Sequence, residues 1–220
     1  MKRPHESKFP DLPGHIFLRN IENALSKEQL AGIGKVAILW ADCDELVNLS
    51  LQRGLRLTSS IARAAISGLA LPKKTSLINE CAEKLLLTVS IRNLIGTTIS
   101  ACGNLGDYRD AVVHSTIIAH TGQHPDIGRQ VSRAGKKYDV LRSQEALDGL
   151  AERLDILRDE LSTIDNIFTC VTCSHTVDGD TGKISEGTGP VSERVGPLIG
   201  CLASLQARRE QLKPLPKFPD

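Results

Sequence analysis

The sequence predicts an all-α fold, an up-and-down bundle of about five helices over residues 27–172, and three observations predict it. Apolar residues make up 40% of the 220-residue chain but aromatic residues only 3%. The apolar content is therefore mostly Leu, Ile, Val and Ala, which suits helices packed on helices. Leu147, Leu150, Leu154, Leu157, Leu161, Ile164 and Phe168 alternate steps of three and four, which holds one apolar seam along a helix for about six turns. Ile33, Val36, Trp40, Cys43 and Val47 repeat at the same spacing, the stripe of an amphipathic helix against a core. A chain of this length builds one core with ragged ends. The expected division is a flexible N-terminal arm at 1–26, the bundle at 27–172, and a flexible Gly/Pro-rich tail at 173–220 that carries one short helix.

Each element has a local cause. The arm is interrupted by Pro4, Pro10, Pro13 and Gly14. Ser26, with Gln29 three residues later, forms a capping box and opens a first helix over 27–54 that ends at Gly54. Thr58, Ser59 and Ser60 start a shorter second helix, which Pro72 stops. A third, capped by Thr75 or Ser76, runs from Lys74 to about Ala101, where "CGNLGD" reads as a turn. The fourth starts at "GDYRDAVVHSTIIAH" and runs to His120, followed by the loop "TGQHPDIGRQ". The fifth carries the leucine seam. After Cys173 the segment "SHTVDGDTGKISEGTGP" is too polar to offset its ordering entropy, and residues 195–212 form a short amphipathic helix. No internal repeat is evident.

Charge and composition narrow the function. The 27 basic and 26 acidic residues leave a net charge of +1, so any contact with a polyanion must come from a local patch. The longest uncharged apolar run is too short and too polar to span a bilayer, and the N-terminus has no export signal. A cytoplasmic protein without membrane contact is expected. Cys43, Cys81 and Cys102 fall within helical apolar patterns, so they read as reduced core residues rather than a disulfide framework.

The chemistry concentrates in Gly106–His120. Asp107 and Asp110 have the spacing of a capping box at a helix start, where the positive end of the helix dipole also favours carboxylates. On that reading Arg109 is solvated and His114 faces a neighbouring helix. The same geometry also builds a site. Asp110 and His114, four apart, share a face, so the carboxylate can accept a proton from the imidazole and fix its tautomer. Arg109 in the first turn leans towards free backbone N–H groups that favour a phosphate. A histidine beside an anion site is what cleavage of an RNA phosphodiester requires: a group to move a proton and a guanidinium for the charge developing on phosphorus.

The segment "RDAVVH", with Arg109, a polar residue directly after it and His114 five positions on, resembles the Arg-x4-6-His signature of the HEPN superfamily (higher eukaryotes and prokaryotes nucleotide-binding domains). The resemblance covers roughly residues 27–172, and in that family the motif opens a late helix of a four- or five-helix bundle. It implies a metal-independent endoribonuclease of a defence or toxin–antitoxin system, needing no cofactor. Two copies of the motif would face one another in a homodimer, with an antitoxin or other protein as a further partner. Arg109 would contact the scissile phosphate, His114 would be the general acid and base, and Asp110 would orient them. Other members of the family are inactive and bind nucleotide, RNA or protein, and a purely structural helical interaction protein is the third alternative.

Arg129, Arg133, Lys136, Lys137 and Arg142, opposed only by Asp139, form a basic segment that could guide an RNA backbone, or an ordinary solvated loop. Tyr108 and Tyr138 are the aromatic residues placed to stack on a base. Cys170, Cys173 and His175 have half of a zinc spacing but no second pair, so no metal site is assigned. His120 and His124 are separated by Gly122 and followed by Pro125, which reads as a loop.

Overall fold

The structure is a computed structural model that describes residues 26–113, 143–172 and 191–215. It also gives the backbone of six short strands: β1 (His15–Phe17), β2 (Thr116–His120), β3 (Asp126–Gln130), β4 (Lys137–Asp139), β5 (His175–Val177) and β6 (Ile184–Glu186). The described body is an all-α bundle of six helices: α1 (Lys27–Gly54), α2 (Ser59–Ile66), α3 (Leu71–Lys84), α4 (Val89–Val113), α5 (Gln144–Thr172) and α6 (Val191–Gln211). Most of the N-terminal arm and of the 173–190 segment lies outside the described residues.

The first helix has the bounds its pattern predicts. Ser26 Oγ accepts the Gln29 N–H at 3.1 Å, and Gln29 Oε1 accepts the Ser26 N–H at 2.9 Å, which satisfies two of the helix's orphan donors. The leucine seam also forms as expected: Leu147, Leu150, Leu154, Leu157, Leu161, Ile164 and Phe168 are all fully buried on α5. Its partner is α1, which runs parallel to it. Gly32 lies against Leu147 and Gly54 against Phe168, and Arg53 forms an ion pair with Asp165 at 2.7 Å.

Between these two helices the structure corrects the expected boundaries. The turn expected at "CGNLGD" is not formed, and α4 runs through it without a break. A Cβ on Gly106 would come within 2.9 Å of the Trp40 ring and 3.2 Å of Leu71. This glycine is therefore there to let α4 approach α1 and α3 closely, and not to turn the chain. The break falls earlier, between Lys84 and Val89, so the helix expected over 74–101 is two helices. Pro72 lies in the first turn of α3 and starts that helix, where its missing N–H costs nothing; α2 has already ended at Ile66.

That earlier break repeats one made thirty residues before. "LRLTSSI" after α1 and "LLLTVSI" after α3 fold alike, with Arg56 at φ 53° and Leu86 at φ 54°. The Leu57 N–H donates to Gln52 O at 2.9 Å and the Leu87 N–H to Ala82 O at 3.4 Å. Both are closures of the left-handed helix-capping type. Leu57 and Leu87 pack on the core in each, and Thr58 and Thr88 accept from the next helix's backbone through their carbonyls, at 2.8 Å and 3.0 Å.

The C-terminal helix belongs to the bundle. α6 lies antiparallel to α5 and buries Val195 and Leu202, which makes six helices in place of about five. Glu160 on α5 is fully buried. It accepts Thr98 Oγ1 of α4 at 2.8 Å and Arg209 Nε of α6 at 2.7 Å. Gln206 Nε2 then donates to Thr98 Oγ1 at 2.9 Å and to Leu94 O at 2.7 Å. Outside the bundle β1–β2–β3–β4 pair antiparallel in that order, and β5 pairs with β6. The fourth helix expected to reach His120 stops at Val113, and Thr116–His120 is extended and paired with β1 and β3.

Candidate functional site

Tyr108, Arg109 and Asp110 lie in the last turns of α4 and not at a helix start. This changes the chemistry available to them. The backbone N–H groups there are engaged within the helix, so Asp107 and Asp110 do not form the expected capping box. The nearby dipole end is the negative one, which disfavours anions. An anion at this position has to be held by side chains.

Those side chains line a cleft of about 810 Å³ between α1, the start of α3 and the end of α4, with Trp40, Asp44, Lys74, Asn104, Arg109 and Asp110 on its walls. Arg109 Nη1 donates to Asp110 Oδ1 at 2.7 Å, and its guanidinium carbon lies 5.9 Å from the centre of the Trp40 ring. That is within cation–π range, where an aromatic face favours a cation and limits its motion. Lys74, only 5% exposed, donates to Asp44 Oδ1 at 2.9 Å. Its charge stays in the wall of the cleft because a buried ammonium needs a partner. Tyr108 packs against the core, and burial raises its hydroxyl pKa while the charge of Arg153 partly offsets the rise.

Of the residues singled out in the sequence, the structure brings Arg109 and Asp110 together, with Tyr108 beside them. His114 lies outside the described residues, and with it the Asp110–His114 pair. Arg129 and Lys137 fall on the backbone of β3 and β4, while Arg133, Lys136 and Arg142 lie outside the described residues. Cys43, Cys81 and Cys102 are free and buried, as expected. Burial pushes the Cys43 thiol far up and the Cys102 thiol up to about 12. Of the half zinc motif, Cys170 is a free, half-buried thiol at the end of α5.

Sequence reasoning missed Lys74, Asp44 and the Glu160–Arg209 pair. A signal existed for the last. Arg153, Ile156, Glu160 and Ile167 form a second helical stripe on α5 beside the leucine seam, and all four are buried. A carboxylate within such a stripe implies a cation from a facing helix. Compared with known proteins, the chain matches no family model, no curated protein and no solved structure.

Proposed function

We propose that this protein is a HEPN-like, metal-independent endoribonuclease of a prokaryotic defence or toxin–antitoxin type system. It acts in the cytoplasm as a homodimer that joins two copies of the Arg109/His114 site. The observation that carries the reading is Arg109 itself: its guanidinium is held by Trp40 and Asp110 on the wall of a polar cleft large enough for a nucleotide unit. The "RDAVVH" motif supplies the rest. Arg109 contacts the scissile phosphate and stabilises the charge that develops on it. His114, just beyond the end of α4, takes the proton of the 2′-hydroxyl and returns one to the leaving 5′-oxygen. Asp110 holds the guanidinium in position, and the basic segment around Arg129, Arg133, Lys136 and Lys137 draws in the RNA backbone.

The test is cleavage of single-stranded RNA in EDTA. The wild type should cut, while Arg109→Ala and His114→Ala should each lose at least about a hundredfold in rate, the scale of an acid–base or electrostatic group. Cleavage that survives both substitutions overturns the assignment.

One observation favours a second reading, a catalytically silent module that binds nucleotide, RNA or a protein. Both cations of the cleft are already in ion pairs, Arg109 with Asp110 and Lys74 with Asp44, and such pairs can serve structure alone. Binding of RNA without cleavage, weakened by Arg109→Ala, would select this reading.

A further inference from the structure

A second cleft, of about 920 Å³, lies between α3, α4 and α6 and shares Ser100 and Asn104 with the first. The two therefore adjoin along α4. The far end is polar in an unusual way: Arg92 and Arg209 face it together with Asn79 and Asn93, above a floor that includes Ala82 and Gly96. Among the described residues no ring lines it, so they offer nothing for a base to stack on.

The two arginines are the informative part. Arg92 Nε and Arg209 Nη2 are buried donors with no acceptor among the described residues. The rest of each guanidinium is what the cleft can offer a ligand: the Arg92 side chain is 38% exposed and that of Arg209 14%, and Glu83 is the one carboxylate among the described lining residues. Arg209 is held in place through its Nε by the fully buried Glu160, which presets the guanidinium without using its other nitrogens. Arg92 has only a loose pair with Glu83, at 3.9 Å, and Glu83 is largely exposed. Amide and hydroxyl groups around two guanidinium groups, without aromatic walls, suit a phosphate carried on a hydroxylated sugar.

We propose that the α3–α4–α6 cleft is a phosphate subsite for the sugar–phosphate backbone of a single RNA strand whose other end reaches Arg109. The inference rests on the ribonuclease reading for what occupies the Arg109 end. Arg92 and Arg109 lie on the same helix, seventeen positions apart, or about 26 Å at the α-helical rise. A single strand needs several nucleotides to cover that distance, which an octamer has to spare. A trimer cannot reach both ends.

The test is binding of fluorescent 2′-O-methyl oligoribonucleotides, which lack the 2′-hydroxyl proton that cleavage requires, read by anisotropy over a range of salt, with inorganic phosphate as competitor. Arg92→Glu is the main variant and Arg92→Gln the milder one. A glutamate in the first turn of α4 is favoured by the helix dipole, so folding is preserved, and a thermal melt verifies it. The octamer should bind the wild type more tightly than the trimer. Arg92→Glu should weaken the octamer about tenfold and flatten its salt slope by about one counterion, leave the trimer unchanged, and Arg92→Gln should fall between. An octamer indifferent to both substitutions, no octamer binding at all, or competition by phosphate without any RNA binding overturns the proposal. The two readings fail separately. Arg92-dependent binding without cleavage would remove the ribonuclease and leave the subsite, whereas cleavage with length dependence indifferent to Arg92 would remove the subsite and leave the ribonuclease.

Discussion

Leu86 is a single residue whose environment contradicts its chemistry. It is 89% exposed and holds a left-handed backbone conformation, which costs a side chain with a Cβ roughly 1–2 kcal/mol. Nothing in its packing repays that cost, so the turn must be imposed by Leu85 and Leu87 on either side, which pack on the core. Leu86→Asn should therefore stabilise the fold by roughly 0.5–1 kcal/mol, because asparagine tolerates this conformation. Urea unfolding checks it, and a destabilised variant would show that Leu86 makes a contact of its own. The buried thiols supply a second prediction at this scale. An unfolded cysteine ionises near pH 9.0, whereas folded Cys102 holds its proton to about 12. Its contribution to stability is complete below pH 9 and is lost as the pH rises from there towards 12. Thermal melts over that range should fall less steeply in Cys102→Ala than in the wild type; equal slopes would show that this thiol does not ionise on unfolding.

At the scale of elements, α4 decides how the molecule is organised. It packs against α1 and α3 through Gly106, and Thr98 joins it to α5 and α6 through Glu160. The Glu160–Arg209 pair is a burden unless complete, since a lone buried charge is costly. Glu160→Ala should lower the unfolding free energy by about 3 kcal/mol by stranding Arg209, and Glu160→Gln should cost less because its amide oxygen can still accept a hydrogen bond. Denaturant titration of both variants measures this. A loss below about 1 kcal/mol for the alanine would mean that α6 is held by its apolar contacts alone. The same element-scale view shows why the expected helix start at Gly106 failed. "CGNLG" is turn chemistry in isolation, but the bulk of Trp40 across the interface makes a glycine at position 106 a packing requirement.

At the scale of the whole molecule, α1 and α5 lie parallel at the centre of the described bundle, and two polar clefts adjoin along α4. This arrangement sets what the motif can do. A helix start offers backbone N–H groups to an anion, whereas at a helix end an anion would have to be held by side chains such as Arg109, which is steadied by Trp40 and Asp110. The RNA cleavage and octamer-binding experiments address the two adjoining clefts in turn. No helix among the described residues is long and apolar enough to cross a membrane.

The sequence by itself determined the helical class, the bounds of α1 with its Ser26–Gln29 cap, and the buried seam of α5. Each of these follows from periodicity or from hydrogen bonds within a few residues, which the local chain controls. The division of 71–113 into α3 and α4 was partly legible, because "LRLTSSI" and "LLLTVSI" spell the same turn twice. Only the tertiary structure decided the rest. That position 106 has no room for a side chain depends on Trp40 and Leu71, that the buried Glu160 is paired depends on Thr98 and Arg209, and that the buried Lys74 is paired depends on Asp44. In each case the deciding atoms come from distant parts of the chain, so close packing and the pairing of buried charge set an outcome that no local pattern encodes.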